Sequence, residues 1–190
     1  TLVLFSSDNG PVVDDGYQDQ AVEKLGGHRP AGPLRGGKYS NFEGGTRVPL
    51  IACWPGRIRP GVSDALVGQQ DFFASLARLT GQALPRDAAP DSFDMLSALL
   101  GDSRTGRDTI VEHARALSMR RGEWKMIEPS QGPSIEPHTN MELGTGPSPQ
   151  LYQVSKDPHE RHDLAAQFPE KVKELGALLD GVRSAGRSRP

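Results

Sequence analysis

The sequence has one cysteine, few aromatic residues and no long hydrophobic run. The single cysteine, Cys53, excludes an internal disulfide and a metal site built from several cysteines. No apolar stretch reaches the roughly 20 residues that a transmembrane helix requires. Neither sign of charge predominates, since the net charge is only −2, so the composition gives no reason to expect nucleic acid or a membrane as a partner. The 22 glycines and 16 prolines instead indicate that much of the chain is loop.

The most informative motif follows the first apolar run. Residues 1–5 predict a buried strand, and the next five are Ser6-Ser7-Asp8-Asn9-Gly10. Ligands of open α/β sheets bind at the carboxyl ends of strands. At such a position Asp8 and Asn9 offer a carboxylate and a carboxamide oxygen to a hard cation such as Ca²⁺. Asp-Asn-Gly is also a common turn sequence, and the tripeptide by itself favours a simple turn.

The remaining pattern divides the chain into two parts. Residues 48–54 predict a second buried strand in which Cys53 is an inert thiol, and residues 69–79 carry apolar side chains at helical spacing. The second part predicts four short strands and a terminal helix, at residues 109–113, 116–120, 124–127, 151–154 and 169–182. We therefore expect an α/β fold followed by a small α+β subdomain, in which an antiparallel sheet is covered by the last helix.

Several short blocks occur in order along the chain. They are Ser7–Gly10, Leu34–Lys38, Phe42–Pro49, Trp54–Gly56, Asp71–Phe73, Arg120–Lys125, Leu151–Tyr152 and Asp157–Glu160. Together they resemble the later half of a type I sulfatase, in the arylsulfatase and glycan-sulfatase branch of the alkaline phosphatase-like superfamily. The resemblance implies that residues 1–106 are the C-terminal part of the catalytic domain, at the end of its central sheet with flanking helices. Residues 107–190 would be the small C-terminal subdomain.

The same resemblance implies roles for individual side chains. Asp8 and Asn9 would hold Ca²⁺, with Mg²⁺ as an alternative, and Lys38 would bind a sulfate oxygen. His28 lies in the loop between them, where it could contact the substrate, act as a general acid or lie on the surface. Arg35 would either bind the substrate or hold its loop through an ion pair, which is the interpretation we favour.

The resemblance also implies that the complete protein is a sulfuric ester hydrolase. Its formylglycine nucleophile, made from a Cys or Ser in a Cys/Ser-x-Pro/Ala-x-Arg signature, is expected outside this chain. We expect the chain alone to be inactive and to need the remainder of its catalytic domain as a partner. Within that domain it would act on a small-molecule or glycan sulfate ester, above all a sulfated carbohydrate because the loops are long and polar.

Three further expectations concern location and competing functions. By resemblance, the protein is expected in the periplasm or outside the cell. A phosphodiesterase or phosphonate hydrolase of the same superfamily is one alternative, because fold alone does not determine the reaction. A non-catalytic, truncated homologue is the other.

Overall fold

A computed structural model describes all 190 residues of the chain. The eight strands are β1 Val3–Ser6, β2 Leu50–Cys53, β3 Thr109–His113, β4 Leu117–Arg121, β5 Trp124–Ile127, β6 Ile135–Glu136, β7 Met141–Glu142 and β8 Gln150–Gln153. The five helices are α1 Ala21–Lys24, α2 Glu43–Thr46, α3 Phe72–Leu79, α4 Leu96–Leu99 and α5 Pro169–Ala185, and a 3-10 turn at Gln69–Asp71 precedes α3. None of the helices combines the length and the apolar character needed to cross a membrane.

Strands β3, β4, β5 and β8 form one antiparallel sheet, in that spatial order. Gly122 turns the chain between β4 and β5 with a φ of 55°, a conformation that favours glycine. Helix α5 begins at Pro169, where a missing N–H is tolerated, and packs on β4 and β5. The apolar core between helix and sheet consists of Met119, Met126, Leu151, Leu175 and Leu179. The predicted antiparallel sheet and its covering helix are therefore both present.

Strands β1 and β2 form a separate antiparallel ribbon, in which Val3 lies opposite Cys53. On its outer face Phe5 and Ile51 lie opposite each other and are 60% and 57% exposed. Cys53 is exposed as well. The prediction of two buried strands with a buried thiol is therefore wrong. An apolar run predicts a strand and its apolar face, but burial requires a second layer on that face, and no element of this chain packs there.

A second apolar core joins the loop before α2 to the four-stranded sheet. The rings of Phe42 and Tyr152 meet edge to face, with centroids 5.9 Å apart. Beside them, the buried Asn41 side chain donates to the Ala116 carbonyl at 2.7 Å and accepts from the backbone N–H groups of Arg115 and Ala116 at 3.1 and 3.0 Å. This satisfied carboxamide fixes the loop against the turn between β3 and β4.

Candidate active site

A cavity of about 690 Å³ lies beyond the end of β1 and is lined by Asp8, Asn9 and Lys38. Lys38 is far along the chain from the other two, so the fold, not sequence proximity, brings them together. The other polar or charged residues that line the cavity are Ser6, Tyr39, Ser40, Thr46, Arg47, Gln69, Gln70, Glu112, His113, Arg115 and Arg120. A cavity of this volume is within the range of small-molecule sites. The predicted metal-binding pair and the predicted sulfate-binding lysine thus face one space.

The Asp8-Asn9 turn leaves two side-chain oxygens free. Asp8 Oδ1 accepts a hydrogen bond from the Asn9 N–H at 3.0 Å, and Asn9 Nδ2 donates to the Gly10 carbonyl at 2.9 Å. Asp8 Oδ2 and Asn9 Oδ1 have no partner in the chain. Their chemistry fits Ca²⁺, which takes about six to eight oxygen ligands. The chain brings no group of three or more acidic, His or Cys side chains together for a metal, so this pair would be part of a larger ligand set.

Lys38 is an unpaired cation held on a fixed backbone. Its N–H donates to the Pro11 carbonyl at 2.9 Å, which ties the lysine to the segment that follows the Asp8-Asn9 turn. Its Nζ lies 5.4 Å from the centroid of the Tyr39 ring and has no ion pair in the chain. Tyr39 itself has a φ of 75°, which is uncommon outside glycine. An ammonium without a partner at a cavity is suited to binding an anion.

The backbone of helix α2 packs directly against the backbone of two segments, the Asp8-Asn9 turn and the loop that leads to Lys38. The Gly10 N–H donates to the Gly45 carbonyl at 2.9 Å, and the Gly44 N–H donates to the Arg35 carbonyl at 2.7 Å. A Cβ at Gly10 would lie 1.8 Å from the Gly44 carbonyl oxygen, and one at Gly44 would lie 2.4 Å from the Arg35 carbonyl oxygen. Side chains are excluded here because the backbones are already in contact.

A buried ionic cluster, the Lys125 cluster, holds α2 from its other side. Lys125 is fully buried, with Nζ 3.1 Å from Glu43 Oε1, 2.9 Å from Glu112 Oε2 and 3.9 Å from Glu160 Oε1. Arg120 adds a second cation, 3.2 Å from Glu43 Oε2. Glu160 Oε2 accepts a hydrogen bond from the Glu43 N–H at 2.6 Å. These five residues connect α2 to β3, β4, β5 and the segment that precedes α5.

Two opposing effects set the pKa values in the Lys125 cluster: burial disfavours each charged form, and neighbouring opposite charges favour it. Burial favours a raised pKa at Glu43, but the charges of Lys125 and Arg120 outweigh it and hold that pKa below its usual value. Burial disfavours the Lys125 ammonium, yet Glu112, Glu43 and Glu160 together raise its pKa. Burial raises the pKa of Glu160 to about 7, because the charge of Lys125 only partly opposes it. Its buried Oε1 also lacks a hydrogen-bond partner.

Replacing Glu160 by glutamine should therefore change the pH dependence of stability. The folded protein retains the Glu160 proton up to about pH 7, whereas the usual pKa is 4.5. The folded state binds more protons between these values, so Glu160 stabilises it at low pH, and that contribution is lost as the pH rises through about 7. The stability advantage of the wild type over Glu160→Gln should fall by about 2 kcal/mol from pH 5 to pH 8, as measured by urea unfolding.

The exposed and unpaired Glu170 on α5 provides the control for this experiment. Glu170→Gln should leave the difference from the wild type constant across the same pH range. A wild-type advantage that rises with pH would contradict the assignment of Glu160 as the group with the raised pKa.

Arg35 and His28 lie outside the cavity. The Arg35 guanidinium binds Glu142 through two contacts of 2.9 and 3.0 Å and donates to the Glu160 carbonyl at 2.6 Å. It also lies 3.9 Å from the centroid of the Phe42 ring. Arg35 thus forms an ion pair that ties its loop to β7, and its contact with substrate stays a prediction. His28 is exposed, and its side chain forms no hydrogen bond within the chain, so its proposed contact with substrate and its general-acid role stay predictions.

Sequence patterns did not identify several residues of the site. His113 and Arg115 line the cavity, but they flank a turn between two strands and carry no local signal. Lys125 and Glu160 contact Glu43 of α2 from positions far along the chain. Both occur within blocks of sulfatase resemblance, residues 120–125 and 157–160, which was the only available indication of their importance.

Comparison with known proteins gives a consistent assignment. A protein-family model described as Sulfatase matches residues 1–82. The N-acetylgalactosamine-6-O-sulfatase of Bacteroides thetaiotaomicron is 53% identical over 186 residues, which cover 97% of this chain. The chain is therefore similar to sulfatases along nearly its whole length. Human arylsulfatase A is 33% identical over 196 residues, covering 94% of the chain.

The structural comparison agrees with this sulfatase assignment. A solved Bacteroides thetaiotaomicron structure, described under the metabolism of multiple glycosaminoglycans, is 53% identical and matches 97% of the chain with a TM-score of 0.94. The alkaline phosphatase-like sulfatase fold expected from the sequence is confirmed. The chain spans 36% of the length of the bacterial relative and 37% of human arylsulfatase A.

Cys53 has a sequence context that bears on sulfatase chemistry. Cys53-Trp54-Pro55-Gly56-Arg57 has the Cys-x-Pro-x-Arg spacing of the aldehyde-forming signature, contrary to the expectation that this spacing lies outside the chain. However, Cys53 pairs with Val3 at the far end of the ribbon, three positions from the Ser6 pair, or roughly 10 Å. It does not line the cavity with Asp8 and Lys38. The position of Cys53 therefore does not suit a nucleophile for that site.

Proposed function

We propose that this chain contributes to a sulfuric ester hydrolase that acts on sulfated carbohydrate. The observation that supports this proposal is the cavity shared by the free oxygens of Asp8 and Asn9 and the unpaired ammonium of Lys38. Carboxylate and carboxamide oxygens suit a divalent cation, while a lysine without a partner suits a sulfate oxygen. The relatives at 53% and 33% identity are named as an N-acetylgalactosamine-6-O-sulfatase and an arylsulfatase.

In this proposal the residues of the chain bind and orient the sulfate ester. Lys38 binds a non-bridging sulfate oxygen and offsets its negative charge. Asp8 and Asn9 hold Ca²⁺, which when bound supplies positive charge where negative charge develops during ester cleavage. The backbone contacts of Gly10 and Gly44 with their neighbours keep these groups in place. Formylglycine would come from outside this chain, so we expect the chain by itself to be inactive.

Replacing Lys38 by methionine should reduce sulfate release strongly. The variant keeps the aliphatic stem and removes the cation, so kcat/KM on N-acetylgalactosamine 6-sulfate should fall about 10²- to 10³-fold, as for other preorganised charge-stabilising groups. Sulfate release would be measured by ion chromatography with the intact enzyme that contains this chain. Lys24→Met, an exposed lysine without a partner on α1, should behave as the wild type.

Two additional experiments, metal removal and a comparison of substrates, distinguish sulfate ester hydrolysis from the alternatives. Removal of divalent metal with EDTA should abolish sulfate release, and added Ca²⁺ should restore it; Asp8→Asn should require more Ca²⁺ for half recovery. Faster turnover of a phosphodiester or a phosphonate than of the sulfate ester would overturn the proposal in favour of the phosphorus hydrolases of this superfamily. Absence of turnover on any of these esters in the intact enzyme would favour a non-catalytic homologue.

A further inference from the structure

A second cleft, of about 440 Å³, lies between the loop that leads to Lys38 and the segment before α5. We call it the arginine cleft, and its polar lining consists of Arg29, Arg35, Glu142, His159 and Arg161. Three guanidinium groups thus face one carboxylate. This charge ratio contrasts with the chain as a whole, whose net charge is −2.

The positively charged side chains of the arginine cleft are not equally available to bind a ligand. Glu142 neutralises Arg35 through a bidentate ion pair, with distances of 2.9 and 3.0 Å. The side chains of Arg29, Arg161 and His159 form no hydrogen bond or ion pair within the chain. Two guanidinium groups and one imidazole are therefore free to bind a ligand, and the cleft has two uncompensated positive charges.

The backbone that carries these free groups is fixed before any ligand binds. The Gly32 N–H donates to the Arg29 carbonyl at 2.8 Å, which closes the turn that bears Arg29. On the opposite side, the Arg161 N–H donates to Asp157 Oδ2 at 2.8 Å. Between His159 and Arg161, the buried Glu160 adopts a φ of 47° and is anchored in the Lys125 cluster. A fixed backbone lowers the ordering cost of binding to these side chains.

We propose that the arginine cleft binds an anionic group, a sulfate or a carboxylate, of a sulfated glycan chain, at a place distinct from the cavity that contains Lys38. The inference rests on the proposed function for the class of ligand. Guanidinium groups bind such oxyanions through paired, charge-assisted hydrogen bonds. Pro33 and Leu34 add apolar surface to the same cleft, against which the apolar face of a sugar ring packs. Its volume accommodates about one monosaccharide unit.

The test compares the binding of two probes to the intact enzyme that contains this chain, after EDTA treatment has stopped sulfate release. The first is a tetrasaccharide of alternating uronic acid and 6-sulfated N-acetylgalactosamine, and the second is inorganic sulfate; Kd is measured by isothermal titration calorimetry at low ionic strength. The double substitution Arg29→Gln and Arg161→Gln should weaken tetrasaccharide binding at least tenfold. Arg59→Gln is the matched control, because Arg59 is exposed, unpaired and outside the cleft, and it should change Kd less than twofold. Circular dichroism checks that each variant is folded.

The outcomes separate this inference from the proposed function. Equal tetrasaccharide binding by the wild type and the double variant would overturn the inference, and so would inorganic sulfate that binds as tightly as the tetrasaccharide. In a Lys38→Met background the double substitution should still weaken binding at least tenfold, which supports two distinct places. If Lys38→Met leaves sulfate release unchanged, the proposed function fails, but the arginine dependence of glycan binding is unaffected.

Discussion

Replacing Lys125 by methionine should lower the free energy of unfolding by about 3–5 kcal/mol, as expected when one partner of a buried ion pair is removed. The side chain is completely buried, and its Nζ lies 3.1 Å from Glu43 and 2.9 Å from Glu112. Methionine keeps most of the volume but leaves these carboxylates without their central cation. The measurement is urea unfolding at pH 7, followed by circular dichroism and tryptophan fluorescence.

The control for Lys125 is Lys173→Met on the exposed side of α5, where the side chain forms no ion pair. That change should stay within about 0.5 kcal/mol of the wild type. A loss below 1 kcal/mol for Lys125→Met would show that the carboxylates are satisfied in some other way. Adding Glu112→Gln to Lys125→Met should recover part of the loss, because Lys125 is the only cation that pairs with Glu112.

Gly10→Ala should strongly reduce the activity of the site even though only one methyl group is added. The new Cβ would lie 1.8 Å from the Gly44 carbonyl oxygen and 2.8 Å from the Gly45 Cα, so the Asp8-Asn9 turn has to move away from α2. Displacements of about 1 Å are enough to reduce catalysis about 10²-fold, and overpacking costs about 1–3 kcal/mol of stability. Sulfate release by the intact enzyme and its urea unfolding measure the two effects.

Gly27→Ala is the matched control for Gly10→Ala. A Cβ at Gly27 would have no neighbour within 4 Å, so activity and stability should both be unchanged. If Gly10→Ala retained full activity, α2 would not fix the position of the Asp8-Asn9 turn. If the Gly10→Ala variant lost stability while kcat and KM of its folded fraction stayed normal, the contact between Gly10 and α2 would contribute to stability but not to activity.

The C-terminal half of the fold was largely predictable from the sequence, because its signals are local. Short apolar strands separated by a few residues pair with their neighbours, and Gly122 and Pro169 mark a hairpin turn and a helix start. The ribbon of β1 and β2 was less predictable. The apolar run identified both strands, but Phe5 and Cys53 are exposed, because burial depends on which layer packs against a strand.

The candidate site shows the same division between local signals and tertiary contacts. The sequence by itself determined the candidate chemical groups, the side-chain oxygens of Asp8 and Asn9 and the cation of Lys38, since these depend on residue type and on motifs. Only the tertiary structure decided that they share a cavity, that Arg35 pairs with Glu142 and that Lys125 anchors α2. The physical reason is that contacts between distant segments arise from backbone packing at glycines and from burial of charges, which no short stretch of sequence encodes.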